Sequence, residues 1–400
     1  MRRRDAPLGI APGSVGDWRE YARRRLPRQF FDYIDGGAGE ELTMRANSAA
    51  LAALTIRQRV LRNVSERSTS VEVLGERMSL PVILAPVGLA GVYRRRGEVA
   101  AARAASAFGV PFCESTVSIC GIEEVAKASS RPLWFQLYVM KDRAYAADLM
   151  ARAGAAGARV LVLTADLPVV GARYRDWRNG LEGRLGIGGK LRKFLDYASH
   201  PAWALDVGLF GKPLTFGNLE RAVPGATDPT AFKAWVDEQF DASVTWDDLE
   251  WVRTNWKGKL LLKGILDAED AKEAAKRGVD GIVVSNHGGR QLDSVPATAL
   301  ALPPIVDAVG GSIEVLADGG VRSGIDIAKY LALGAKACLI GRPWAWALAA
   351  RGESGVSSVL ATLKSELEVA LALSGEKDAS ALGRHILLPS SAVPYKPGPG

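Results

Sequence analysis

From residue 80 onward the chain alternates short, dense apolar runs with Ala-, Glu- and Arg-rich stretches whose apolar positions recur at helical spacing. Eight runs are short and bounded by turn or polar residues, which marks them as strands: 81–86, 110–115, 133–139, 159–166, 259–264, 281–286, 313–318 and 337–341. Most neighbours are separated by a segment of helical period, such as 97–108, 122–128, 143–155, 268–277 and 325–333. Alternating β and α segments predict a parallel sheet. Eight such units predict a (β/α)8 or TIM barrel of about 250 residues, where a doubly wound sheet would more often carry fewer strands.

Two stretches stand outside this alternation. Residues 1–80 hold an amphipathic start at 18–26 and a segment at 30–41 containing Asp35-Gly36-Gly37. They predict an N-terminal helical extension packed on the barrel, a lid over its bottom plus a strand that enters the working face. Residues 167–245 form a long insertion after the fourth strand, and loops of that length are usually functional or disordered. The expected organisation is an extension at 1–80, a barrel at 81–375 and a C-terminal tail at 376–400.

Composition narrows the class. Hydrophobic residues at 48% and charged residues at 24% suit a globular chain with a large core. Cys113, Cys120 and Cys338 are widely spaced and form no CxxC or Cys/His pattern, so neither a disulfide framework nor a zinc site is expected, and a reducing, cytoplasmic setting is. The basic Met1-Arg2-Arg3-Arg4 start leads into Asp5 and Pro7 instead of an apolar core, unlike a signal peptide. No run of eighteen apolar residues is present to span a bilayer. The net charge of +7 suits an anionic substrate, membrane surface or nucleic acid, but no nucleic-acid-binding module is recognisable.

In a barrel of this kind the residues just after each strand form the working face. Reading them in order yields Pro86-Val87-Gly88, Ser115, Gln136 with Tyr138, Thr164 with Asp166, Lys263, the segment from Ser285 to Arg290, Asp318-Gly319-Gly320 with Arg322, and Gly341-Arg342. His287 and Arg290 place a proton acceptor of near-neutral pKa beside a planar anion clamp, with two glycines between them that let the backbone approach a ligand. Of three histidines only this one has such surroundings. The glycine pairs and arginines after the seventh and eighth strands suit a phosphate group, since barrel enzymes commonly hold one there. A Rossmann fingerprint is lacking: Gly186-Ile187-Gly188-Gly189 follows no strand and reads as a flexible loop.

With His287-Gly288-Gly289-Arg290, Asp318-Gly319-Gly320-Val321-Arg322 and Ile340-Gly341-Arg342-Pro343 in place, the chain resembles the FMN-dependent L-2-hydroxy acid dehydrogenase and oxidase family from about Trp18 to Gly375. Within it, the segments 84–89, 112–118, 171–176 and 200–206 look most like the bacterial membrane-associated L-lactate dehydrogenases. The resemblance implies that His287 is the base, taking a proton from the C2 hydroxyl or from C2, and that Asp166 orients it and raises its pKa. From spacing alone Asp166 reads equally well as a strand-end cap. By the same resemblance Arg290 and Arg173 clamp the substrate carboxylate with Tyr33, Tyr138 steadies charge on the substrate oxygen, and Lys263 faces the flavin. Pro86, Val87, Gly88, Ser115, Gln136, Thr164 and Ser285 would surround the flavin ring. Asp318 would meet the ribityl chain, and Gly319, Gly320, Arg322, Gly341 and Arg342 the phosphate.

Gly88, and Val117 where plant-type glycolate oxidases carry tryptophan, favour a dehydrogenase over an oxygen-using oxidase that releases hydrogen peroxide. L-lactate is the expected substrate, with mandelate and glycolate as alternatives, quinone as electron acceptor and a homotetramer as the implied assembly. A non-catalytic flavin- or membrane-binding barrel would lack His287 or Arg290, and both are present. Residues 184–212 mix Arg184, Lys190, Arg192, Lys193 and Lys212 with leucine and aromatic residues, a composition that fits either a lid packed on the barrel or a segment lying in a bilayer interface. The resemblance implies the latter, with the protein peripheral to the cytoplasmic face of the bacterial inner membrane.

Overall fold

The computed structural model describes residues 12–182, 185–212, 215–220 and 238–388. A two-residue turn at Leu74 and Gly75 pairs β1 (Val71–Val73) with β2 (Glu76–Met78) antiparallel. The eight apolar runs each supply one barrel strand: β3 (Val82–Leu84), β4 (Cys113–Ser115), β5 (Trp134–Leu137), β6 (Val160–Thr164), β7 (Lys259–Ile265), β8 (Gly281–Val284), β9 (Glu314–Asp318) and β10 (Cys338–Ile340). They pair in parallel in the order β3-β10-β9-β8-β7-β6-β5-β4. A parallel bridge between Leu84 and Phe112 joins the two ends of the sheet, with Leu84 N donating to Pro111 O at 3.0 Å. Every residue of β3, β4, β5, β6, β8 and β10 is buried. Strands of a parallel barrel are covered on both faces, which is why these runs are mostly apolar instead of alternating, with Glu114, Ser115, Gln136 and Thr164 as buried polar members.

The N-terminal residues form α1 (Val15–Arg25), α2 (Arg28–Asp35) and α3 (Leu42–Ala53). A capping box of Ser14 and Asp17 starts α1, which buries Val15, Trp18 and Ala22. The segment expected to enter the working face as a strand does so as α2 and the turn after it. Phe30, Phe31 and Ile34 fall on one helical face and are buried, a pattern of period 3.6 and not 2. Beyond α2, Ala38 N donates to Gly289 O and Gly39 N to Ala172 O, both at 2.8 Å, so this part of the extension lies at the C-terminal ends of the strands. The bottom is closed by the β1–β2 hairpin instead. Leu74 N donates to Glu314 Oε2 at the start of β9 (3.0 Å), and Arg131 reaches Arg77 O (2.8 Å) just before β5.

Outside the barrel lie α4 (Gly97–Phe108), α5 (Ile122–Ala128) and α6 (Arg143–Ala155), followed by helices Asp248–Asn255, Ala268–Lys276, Thr298–Val309, Gly324–Ala332 and Arg342–Ser374. The insertion after β6 contains α7 (Tyr174–Asn179), α8 (Ile187–Ala198) and a short Pro201–Trp203 helix that runs into π-helical Ala204–Leu209. Gly186 is the N-cap of α8 and Gly188 and Gly189 lie in its first turn, so the glycine-rich segment expected to be flexible is a helix start. Arg184 and residues 221–237 of the insertion lie outside the described residues.

Candidate active site

After β8 the chain turns through three consecutive residues of positive φ: His287 at 57°, Gly288 at 62° and Gly289 at 74°. Such a backbone is uncommon for a residue with a Cβ and is held where the surroundings over-determine it. A Cβ on Gly289 would stand 2.5 Å from Met44 N, so the turn also needs glycine for space. The result directs His287 Nδ1 at Asp166 Oδ1, 3.0 Å away. Asp166 in turn fits because β7 bulges at Gly264, where φ is 105° and a Cβ would lie 2.6 Å from Asp166 Cβ.

Burial pushes the Asp166 carboxyl up, but the His287 imidazole and the Lys263 ammonium outweigh it and hold the acid ionised below its ordinary range. For His287 the expected upward pull of Asp166 is present but outweighed. Burial pulls the imidazole below 6.5, Asp166 opposes this, and Lys263 and Arg173 add to the lowering. The ring is therefore neutral at pH 7, with Nδ1–H given to Asp166 and Nε2 left as the basic nitrogen.

Across the cavity, Arg290 Nη1 donates to Tyr33 O (2.7 Å) and Gly36 O (2.8 Å), the end of α2. The Tyr33 ring lies 5.0 Å from the Arg290 guanidinium and 5.9 Å from that of Arg173. Arg290 is lowered from its usual pKa first by burial and next by Arg173, as expected where two cations share a dry site. An anion placed between them relieves both terms. The Tyr138 hydroxyl is pushed up by burial and by Asp166, so it stays protonated and available as a donor.

At the other end, Ser285 Oγ donates to Asp318 Oδ2 (2.9 Å) and accepts from Lys263 Nζ (3.0 Å). Burial lowers Lys263, yet Asp318 and Asp166 outweigh it and the ammonium stays charged. Gln136 Oε1 accepts from Ser115 Oγ at 3.1 Å, while Gln136 Nε2 and Asp318 Oδ1 are buried without hydrogen-bond partners among the described residues. Gly319 and Gly320 have φ of 93° and 80°, and a Cβ on Gly320 would meet Asn47 O at 2.6 Å. The Arg322 guanidinium lies 5.0 Å from the Trp346 ring and is pulled down to about 10 by burial. Arg342 spends its donors on Asp35 O (3.2 Å), Gly288 O (2.9 Å) and Gly36 O (2.7 Å), tying α2 to the His287 turn.

Most of these groups border one open cavity. Of the residues singled out from sequence, Tyr33, Pro86, Val87, Gly88, Tyr138, Arg173, Lys263, His287 and Arg290 line it, as do Asp318, Gly319, Gly320, Arg322, Gly341 and Arg342. Asp166, Ser115, Gln136, Thr164 and Ser285 do not line it. Of these, Ser115, Gln136, Thr164 and Ser285 are buried, and Asp166 and Ser285 reach the cavity through His287, Lys263 and Asp318. Sequence reading passed over Gly264, Asn47 and Tyr93. Gly264 acts across neighbouring strands and Asn47 acts from α3 on the loops after β8 and β9, so neither leaves a local signal. Tyr93 sits in the loop that begins at Pro86 and is found by following that loop further.

A family model described as FMN-dependent dehydrogenase matches residues 22–389. The chain belongs to this family. It is 55% identical over 374 residues to an L-lactate dehydrogenase of Caulobacter vibrioides, covering 94% of this chain and 97% of that protein. Identity to an L-lactate dehydrogenase of Pseudomonas putida is 51% over 372 residues, 93% and 97% of the two chains. Among solved structures, the monotopic membrane protein (S)-mandelate dehydrogenase superposes with a TM-score of 0.89 at 38% identity, covering 95% of this chain and all of that one.

The cavity fits FMN. Asp318 lines it, and its buried Oδ1, without a hydrogen-bond partner among the described residues, is an atom that a ribityl hydroxyl can satisfy, since buried polar groups are seldom left unpaired. The Gly319-Gly320 turn lies beside the half-buried Arg322 and Arg342 side chains in the lining of the cavity, an arrangement suited to a phosphate.

Proposed function

We propose that this enzyme oxidises L-lactate to pyruvate at the cytoplasmic face of a bacterial membrane and passes the electrons to a quinone. The observation that carries the chemistry is the His287 imidazole, backed by Asp166 at 3.0 Å and sharing a single cavity with the Arg290 and Arg173 guanidiniums. A 2-hydroxy carboxylate satisfies both halves: its carboxylate takes the arginines and its C2 oxygen meets His287 and Tyr138. The names of the relatives support lactate as the particular acid.

When bound, FMN supplies the two-electron acceptor. Arg290, Arg173 and Tyr33 bind and orient the substrate carboxylate. His287 receives one proton at Nε2 as the C2 oxygen becomes a carbonyl, and Asp166 stabilises the imidazolium that results. Tyr138 donates a hydrogen bond to the same oxygen while its charge changes. Lys263, kept charged by Asp318, would hold a cation beside bound FMN and so favour its uptake of electrons.

No helix among the described residues is long and apolar enough to cross a membrane. Support for peripheral docking comes from the outer face of the insertion, where Ile187, Leu191, Phe194, Leu195, Leu205, Leu209 and Phe210 are all exposed. Anaerobic bleaching of the flavin against L- and D-lactate, glycolate and mandelate tests the substrate: fastest bleaching by L-lactate is expected, and faster bleaching by another acid rejects it. Measuring peroxide in air beside reduction of a soluble quinone tests the acceptor, with stoichiometric peroxide rejecting the quinone.

A further inference from the structure

Between Leu89 and Arg96 the chain makes a tight excursion above β3. Both of these residues have positive φ, 59° and 52°, and a 3-10 turn, Ala90–Val92, lies between them. Non-glycine residues held in that region concentrate at functional sites. The excursion delivers Tyr93, which is fully buried and lines the catalytic cavity. Its neighbours fix it. Trp203 of the insertion donates Nε1–H to Val92 O at 2.7 Å, and Asp206 pairs with Arg94 at 3.2 Å.

The Tyr93 hydroxyl is buried and has no hydrogen-bond partner among the described residues. A buried hydroxyl left unpaired is costly, so a side chain held this firmly in that state is suited to a group that arrives later. The groups acting on its phenol are Tyr33, Arg290, Asp176 and Glu98. Tyr33 and Arg290 act on the Tyr138 phenol as well, together with Arg173 and with Asp166, the partner of His287. Both phenols therefore share one cavity with the arginine clamp, and Tyr138 also faces the base.

We propose that Tyr93 is a substrate-binding residue whose hydroxyl donates to the carboxylate of the 2-hydroxy acid, beside Arg290 and Tyr33. This deepens the proposed function and rests on it for the identity of the substrate. The contact is made from outside the His287 and Arg290 loop, by a segment that the insertion holds in place through Trp203.

The test is Tyr93→Phe, assayed as FMN-loaded enzyme with L-lactate and with propionate, which keeps the carboxylate and lacks the C2 oxygen. FMN content and melting temperature should be unchanged or higher, because the variant removes an unpaired buried group. The half-saturating L-lactate concentration for flavin reduction, and the propionate dissociation constant read from the flavin spectrum, should both rise roughly tenfold. Weakening of L-lactate alone would place the hydroxyl on the C2 oxygen and overturn the proposal, as would no change in either. Should the variant lose its flavin, Tyr93→Gln, which keeps a donor, decides: propionate binding within threefold of the parent supports the contact, and a tenfold loss overturns it. If the unaltered enzyme binds propionate but is not reduced by L-lactate, the lactate reading fails while the propionate comparison still tests Tyr93.

Discussion

The working parts of this enzyme are paired ionisable groups whose environments push them apart. Asp166 is ionised and His287 neutral, although they are 3.0 Å apart, because burial and two nearby cations act against protonation of the imidazole. A base must be unprotonated to accept a proton, so activity is lost as pH falls through its pKa. With that pKa lowered from 6.5, kcat/KM for L-lactate should be level at neutral pH and decline only below about pH 6.5. Asp166→Asn removes the one group that raises the imidazole pKa and the one that stabilises the imidazolium. The acid limb should then move to lower pH, and the plateau should fall by about a hundredfold or more. A limb that moves upward, or a plateau within fivefold of the parent, contradicts this division of roles.

At the level of elements, α2 is the piece that brings the extension onto the site, and its last residue, Asp35, anchors it. Asp35 is buried and accepts from Arg19 at 2.5 and 2.8 Å and from Arg175 at 2.9 Å. Burial pushes its carboxyl up, and the bonds from Arg19 and Arg175 outweigh that and keep it ionised. Asp35→Asn should destabilise the fold by about 2 kcal/mol, discounted because Arg19 is half-exposed, and should raise the KM for L-lactate because Tyr33 O and Gly36 O hold Arg290. Denaturant unfolding and steady-state kinetics read the two effects. The same elements explain what was legible beforehand. Helices Gly97–Phe108, Ile122–Ala128 and Arg143–Ala155 match the expected bounds residue for residue, since each has an uninterrupted helical period. Thr298–Val309 was not read because Pro303 and Pro304 lie inside it, yet Ala299, Leu302, Ile305 and Val309 bury one face strongly enough to keep it. Arg342–Ser374 was not read either, and it is interrupted where Gly352 takes φ of 64°. The strand-end residues were visible because a barrel puts function at one ring. Gly264 was not, because its need for glycine depends on Asp166, which lies nearly a hundred positions away.

For the molecule as a whole, the insertion has two faces with different neighbours. Its inner face packs on the extension: Phe30 stacks near Tyr197 and Trp203, at 5.9 and 5.1 Å, and Val207 is buried. Its outer face is turned away from the protein, and α8 buries none of its residues. A lid closing on the barrel would turn Ile187, Leu191, Phe194 and Leu195 inward, whereas they stand between 57% and 89% exposed. Lys190 and Arg192 border them, a pairing that suits the headgroup region of an anionic bilayer. Each leucine or phenylalanine moved from water to hydrocarbon contributes about 1.5–3 kcal/mol when fully buried, and each basic residue near the surface about 1 kcal/mol. Apolar contact therefore outweighs charge. The triple variant Leu191→Ser, Phe194→Ser, Leu195→Ser should lose binding to anionic lipid vesicles by a hundredfold or more, while Lys190→Gln with Arg192→Gln should weaken it only about tenfold and remove part of its salt dependence. Both should keep flavin reduction by L-lactate, because none of these side chains lines the catalytic cavity. Vesicle co-sedimentation at low and high salt separates the contributions. A triple variant that sediments like the parent would mean that this face does not dock on lipid.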